Sequence, residues 1–286
     1  MSNRPRRSAL YLPASNIKAI AKARALPCDV VILDLEDAVA PASKAEARAL
    51  ASAAIREGGF GHREVVVRIN ALSTPWGMAD LEMLADTVAD GVLLPKINGR
   101  ADIAEYSARL QATRVPFWAM IETALSLFRL EEIASAANTD GLVTLVMGTN
   151  DLAKETGAVP DAGRTPFLAA LSLAVAAGKA HGLSVLDGVY NDIANEEGFI
   201  AEARQAVSFG FDGKTLIHPS QIKPCHHAFA PDDAAITAAR RICEAFDSPE
   251  NAGNGVIRLD GQMVERLHLH QARRILAAVG VEADLG

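Results

Sequence analysis

The chain has 286 residues, half of them apolar and 22% charged, with a formal net charge of −7; this suits a folded protein with a sizeable core and disfavours a general attraction to nucleic acid or anionic membrane. Its three cysteines, Cys28, Cys225 and Cys243, form no close pair and no CxxC, which argues against a disulfide framework or a zinc knuckle and for a reducing cytoplasm. No stretch approaches the ~18 apolar residues of a membrane span, and the opening MSNRPRRSALYL lacks the long apolar region of a signal peptide.

Eight short apolar runs follow in order: SALYLPA (8–14), DVVILDLED (29–37), EVVVRIN (64–70), GVLLPKI (91–97), PFWAMIET (116–123), LVTLVMG (142–148), LSVLDGVY (183–190) and FDGKTLIHP (211–219). Most are continuous rather than alternating, the pattern of strands covered on both faces in a parallel sheet. The segments between them predict helices. Residues 42–57 are rich in Ala, Glu and Arg, and residues 165–182 open with Thr165 as cap and Pro166 at the first helical position and end at Gly182. Eight strands alternating with helices predict a (β/α)8 TIM barrel over residues 1–230. An open nucleotide-binding sheet is the competitor, but no GxGxxG follows the first strand. Residues 231–286 predict a C-terminal helical extension or lid: a helix over 232–248, a loop over 251–255, a strand or hairpin in GVIRLDG, and a final helix from about Met263.

Barrel enzymes build their sites at the C-terminal ends of the strands. Here the strands end in Asp34, Glu36 and Asp37; Arg68 and Asn70; Pro95 and Lys96; Glu122; Asn150 and Asp151; Asp187; and His218. One such charge is unremarkable, but their recurrence predicts a charged rim. Glu122 and Asp151, on consecutive strands, are placed to share a divalent cation, and a site of carboxylates, water and substrate oxygens suits Mg2+. The competing reading makes them first-turn acids favoured by the helix dipole. An arginine in a barrel strand is costly unless paired or useful. Arg68 is therefore expected to clamp an anion, oriented by Glu36 and Asp37, while Asp34 is expected to be structural. His218 is expected to be a turn histidine.

RSALYLPAS, DVVILDLEDAV, VVVRIN, GVLLPKI, MIETALSL, VMGTNDLAKE, DGVYNDIANEEGF and FDGKTLIHPSQI together resemble the citrate lyase beta subunit-like proteins of the HpcH/HpaI aldolase superfamily, with malyl-CoA and citramalyl-CoA lyases as close relatives. The resemblance runs from about Arg7 to the last helix. It implies a TIM barrel, Mg2+ held by Glu122 and Asp151, and Arg68 beside the bound carbonyl or enolate. It also implies reversible cleavage of a malyl-, citramalyl- or citryl-CoA type thioester into an acyl-CoA and a 2-oxo acid, in a cytoplasmic homo-oligomer, trimer or hexamer. The lyase relatives carry an aspartate in a segment like DGQMVD. This chain reads DGQMVER, so Glu265 is expected to be the acid/base on the lid, from its own chain or a neighbouring subunit. Arg7, Lys18, Arg24 and Lys96 are the basic residues expected to meet CoA phosphates. The alternatives are a class II aldolase acting on free pyruvate or another 2-oxo acid, a non-catalytic module, and the beta subunit of a multi-subunit citrate lyase.

Overall fold

The computed structural model describes residues 4–251 and 253–285, so the first three residues of the opening segment and Ala252 of the expected 251–255 loop lie outside it. Eight strands, β1 (Ser8–Pro13), β2 (Val30–Asp34), β3 (Glu64–Arg68), β4 (Gly91–Leu94), β5 (Phe117–Ile121), β6 (Leu142–Met147), β7 (Ser184–Asp187) and β8 (Gly213–Leu216), pair in parallel and close into a barrel. The ring is sealed by β1 on β8, with Leu10 opposite Leu216. Each strand lies inside one of the apolar runs, and the polar residues that end the runs fall at or just past the strand ends.

The helices that wrap this barrel are α1 (Ile17–Ala23), α2 (Lys44–Glu57), α3 (Gly77–Ala85), α4 (Arg100–Arg109), α5 (Ala124–Phe128), α6 (Leu130–Ala134), α7 (Thr149–Thr156), α8 (Leu168–Ala180), α9 (Glu196–Phe209) and α10 (Ile222–Phe229). The segment from Thr165 differs from expectation. Thr165–Phe167 is a 3-10 turn entered from Arg164 in the left-handed region (φ 56°), and the α-helix proper begins at Leu168. No helix of the described residues is long and apolar enough to cross a membrane.

Side-chain parity divides the barrel into layers. Ala9, Val30, Ile32, Val66, Leu93, Trp118, Met120, Val146 and Leu186 pack together in the interior. Continuing the same parity toward the C-terminal rim brings Asp34 after Ile32, Arg68 after Val66 and Glu122 after Met120, so an ionic layer caps the apolar one. The opposite end is closed by Arg6. It forms an ion pair with Glu64 (2.7 Å), donates to Thr144 Oγ1 (3.0 Å) and Ser184 Oγ (3.2 Å), and lies over the Trp118 ring.

The chain separates into two compact units, Met1–Phe229 and Ala230–Gly286. In the second, α11 (Asp233–Asp247) is capped by Asp232, whose side chain accepts from the Ala235 N–H (2.7 Å). A hairpin of β9 (Val256–Leu259) and β10 (Gln262–Glu265) then leads into α12 (Arg266–Leu285). The final helix thus starts after Glu265, and Met263 lies in a strand. The reason is local: Asp260 and Gly261 both take positive φ (52° and 80°), the two-residue turn that reverses a hairpin tightly, and this sets Val264 opposite Ile257. Both side chains are buried with Phe246 and Leu269 in a small core.

Candidate active site

The loop after β2 is built around Asp34. Its Oδ1 accepts from the Glu36 N–H (2.9 Å) and its Oδ2 from the Ala38 N–H (3.1 Å). Lys44, at the start of α2 and buried, donates to the Leu35 and Glu36 carbonyls (2.7 Å each), and Asn70 donates to the Leu35 carbonyl (2.9 Å). These bonds hold the Leu35–Asp37 backbone against the barrel mouth.

Arg68 lies next to this loop because β2 and β3 pair in register, with Asp34 opposite Arg68. The guanidinium donates from Nε to Asp34 Oδ1 (2.7 Å) and from Nη2 to Asp34 Oδ2 (2.6 Å). That two-pronged arrangement fixes the plane of the guanidinium as well as its position. Nη1 lies 2.9 Å from Glu36 Oε2, an ion pair without hydrogen-bond alignment, and 3.6 Å from Asp37 Oδ2. The Tyr11 ring faces the guanidinium at 4.9 Å. Glu36 and Asp37 are the residues expected to orient it. The main partner is Asp34, and Asp37 is largely exposed. Strand register held the missed signal: parallel neighbours of equal parity meet, and Asp34 and Arg68 both end such strands.

Glu122 is fully buried just past β5. Its Oε1 accepts from the Lys96 N–H (2.8 Å), while Oε2 has no hydrogen-bond partner. Gly148, after β6, leaves the room this needs, since a Cβ there would lie 2.4 Å from Glu122 Cβ and 2.9 Å from Oε2. Burial pushes the Glu122 carboxyl above its ordinary range, opposed by the Lys96 and Arg68 charges. Asp151 stands in the first turn of α7, partly open to solvent. The Lys96 ammonium lies 2.7 Å from Asp151 Oδ1 and 3.3 Å from Glu122 Oε1. One cation therefore spans the two acids expected to share a cation. Among the described residues no group of three or more His, Cys, Asp or Glu side chains is placed to hold a metal. A donor set of Glu122 and Asp151 would leave the remaining positions to water and substrate oxygens. That fits a hard, oxygen-seeking ion such as Mg2+ rather than zinc.

The expected CoA-binding residues divide. Arg7 precedes β1 at the N-terminal end of the barrel, where Nε and the backbone N–H reach Asp29 Oδ2 (2.9 Å each), so it lies a strand's length from the rim. Arg24, at the far end of α1, pairs with Glu57 (2.7 Å). Both are corrected here: nearness in sequence to the first strand and helix put them at the wrong end. Lys96 is engaged by the two acids. Lys18 is exposed in the first turn of α1, on the rim side. His218 caps the turn after β8, with Nδ1 accepting from the Ser220 N–H (3.2 Å), as a turn histidine should. Glu265 ends β10 in the second unit, exposed, and its N–H donates to His268 Nδ1 (2.9 Å).

Glu36 is strongly altered by its surroundings. Burial, reinforced by Glu122 and Asp37 and opposed by Arg68, raises it to about 8. An unfolded glutamate titrates near ~4.3, so between these values the folded chain keeps a proton that the unfolded chain releases. The stability of the metal-free protein should therefore fall as pH rises from about 5 to about 8, and Glu36→Gln should flatten that slope. Denaturant unfolding at several pH values checks this, and parallel slopes for the two proteins would contradict it.

A closed eight-stranded barrel with an ion-paired arginine and a carboxylate pair on its C-terminal rim is the architecture of a barrel enzyme. The sequence profile of the HpcH/HpaI aldolase/citrate lyase family matches residues 7–219, and the chain belongs to this family. It is 45% identical to the (3S)-malyl-CoA thioesterase of Cereibacter sphaeroides over 273 residues, covering 96% of this chain and 94% of the relative. It is 33% identical to the citrate lyase subunit beta of Escherichia coli, covering 96% and 93%. Among solved structures, CitE from Mycobacterium tuberculosis in complex with magnesium, acetoacetate and coenzyme A superimposes with a TM-score of 0.79 at 34% identity, covering 96% of this chain and 98% of that one. The fold is the TIM barrel, and the chain is an enzyme of the aldolase/citrate lyase family, several of whose solved members are complexes with magnesium.

Proposed function

We propose that the protein is a Mg2+-dependent enzyme of 3-hydroxyacyl-CoA thioesters of the malyl-CoA type, cleaving the bond between the hydroxyl-bearing carbon and the thioester's α-carbon. The observation that carries this reading is the rim itself: an orphaned buried oxygen on Glu122 beside Asp151, with Arg68 in the same ionic layer. Mg2+ bound between Glu122 and Asp151 would act as template and Lewis acid toward the substrate's carboxylate and hydroxyl oxygens. Arg68, held rigidly by Asp34, faces the oxygen on which negative charge grows when the carbon–carbon bond breaks and its electron pair passes to the thioester as an enolate. The hydroxyl proton leaves to a base as the 2-oxo acid forms, and the enolate carbon takes a proton to give the acyl-CoA. Glu265, by its place just after DGQMV, is our choice for that proton transfer, and Lys18 for contact with CoA.

A second reading is thioester hydrolysis: water adds its oxygen to the acyl carbon, the carbon–sulfur bond breaks, and the CoA thiolate takes the proton. The higher identity to the malyl-CoA thioesterase than to citrate lyase subunit beta favours it. One assay divides the two. With malyl-CoA and Mg2+, cleavage releases a 2-oxo acid and acetyl-CoA without free thiol, whereas hydrolysis releases free thiol and malate without 2-oxo acid. The cleavage reading predicts 2-oxo acid, and thiol alone would replace it with hydrolysis. In the same assay Glu265→Gln should lower turnover about a hundredfold, the scale of a lost general acid–base. Its Mg2+ affinity should be unchanged, and parental turnover would remove Glu265 from the reaction.

A further inference from the structure

Lys96 takes a backbone conformation that side-chain-bearing residues rarely adopt, with φ at +53°. In that conformation its N–H reaches Glu122 Oε1 (2.8 Å) while its ammonium reaches the same oxygen (3.3 Å) and Asp151 Oδ1 (2.7 Å). Its carbonyl accepts from Asn98 Nδ2 (3.2 Å), which helps to hold the turn. Main chain and side chain thus converge on one carboxylate pair. Two consequences follow for Glu122: Oε1 is engaged twice, and Oε2 is left buried with no partner. Two acids this close repel unless a positive charge lies between them, and the ammonium supplies it.

We infer that Lys96 is a built-in competitor for the divalent cation: its ammonium holds Glu122 and Asp151 together in the metal-free enzyme and gives way when the metal binds. This rests on the reading of those two acids as the metal ligands. Lys96 is then a positioning residue with two opposed effects. It keeps the acids in place before the metal arrives, and it weakens metal binding because its own ion pairs must be broken. The second effect sets the sign for affinity, since each Lys96–carboxylate contact is lost as a metal–carboxylate contact is made. Mg2+ would also release a flexible cation at the mouth of the site, where anionic substrate groups enter.

The test is calorimetric titration of Mg2+ into the full-length protein and its Lys96→Met, Lys96→Gln, Lys96→Arg and Glu122→Gln variants, with melting temperatures recorded with and without Mg2+. Lys96→Met keeps the side-chain length and removes the charge. It should bind Mg2+ about three- to tenfold more tightly, the scale of a partly screened charge pair, and should melt lower without metal and gain more on its addition. Lys96→Gln should shift the same way and serves if the methionine variant fails to fold, whereas Lys96→Arg should stay near the parental affinity. Unchanged or weaker Mg2+ binding in the uncharged variants, or equal tightening in Lys96→Arg, overturns the inference. If Glu122→Gln binds Mg2+ like the parental protein, the ligand assignment fails and the inference with it. If Glu122→Gln loses Mg2+ while the uncharged Lys96 variants are unchanged, only the inference fails.

Discussion

Glu122→Gln is expected to abolish turnover and to weaken Mg2+ binding by about a hundredfold or more, while the metal-free protein melts at or above the parental temperature. The first half follows from removing one of the two carboxylates proposed to hold the ion, a hard cation that neutral amide oxygens bind poorly. The second half follows from burial. Glu122 is fully enclosed, its Oε2 has no hydrogen-bond partner, and burial already works against its charge. A glutamine of the same shape still offers an oxygen to the Lys96 N–H and no longer requires a buried charge. The cost is the lost pairing with the Lys96 ammonium, which is partly exposed and therefore partly screened. Stability would rise as function is lost, the trade expected where a site is built against the preferences of the fold. Calorimetry of Mg2+ binding and thermal melts check both halves, and parental Mg2+ affinity in this variant would remove Glu122 from the metal site.

Arg68 should show the opposite pattern, with function and fold failing together. Replacing it with methionine strands the Asp34 carboxylate in a buried layer that also contains Glu36 and Glu122. Breaking a buried ion pair by removing one partner costs about 3 kcal/mol or more, so Arg68→Met should melt well below the parental protein as well as lose turnover. Arg68→Lys separates the two effects. Its ammonium keeps a positive charge among the acids, so the fold should persist. It cannot reproduce the two-pronged contact with Asp34 or present a planar fork to the substrate, so turnover should still fall by about a hundredfold or more. Steady-state kinetics of a folded Arg68→Lys protein decides the matter, since parental kcat would make Arg68 a structural cation only.

The barrel was legible because most of its strands are buried on both faces and so appear as continuous apolar runs with helical periods between them. The charges at their ends were legible for the same reason: polar residues that break such runs stand out. What could not be read from run boundaries was direction. Asp34, Arg68 and Glu122 face one another because each continues the interior parity of its strand, and a reading by proximity in sequence gave Asp34's role to Glu36 and Asp37. Arg7 and Arg24 failed for a related reason, since residues close to the first strand and helix along the chain can lie at either end of a barrel. Lys96 stands in the expected place, but its choice of partner depends on a left-handed backbone that composition does not announce. In the tail, the apolar spacing of VIRL and QMV suits a strand as well as a helix, and the Asp260–Gly261 pair decides for the hairpin.

The floor of the barrel bears on how the chain comes off the ribosome. Arg6 precedes all eight strands along the chain, yet its partners are Glu64, Thr144 and Ser184, and β1 finds its second neighbour only in β8. A growing chain that has emerged only through β5 can pair Arg6 with Glu64 but has an open strand edge at β1 and an unsealed interior, with neither Thr144 nor Ser184 yet present to receive the other guanidinium N–H groups. Closure has to wait for the last strand, and contacts between chain segments so far apart form slowly. Until β8 pairs with β1, a partly emerged barrel exposes an unpaired strand edge, the kind of surface that favours aggregation.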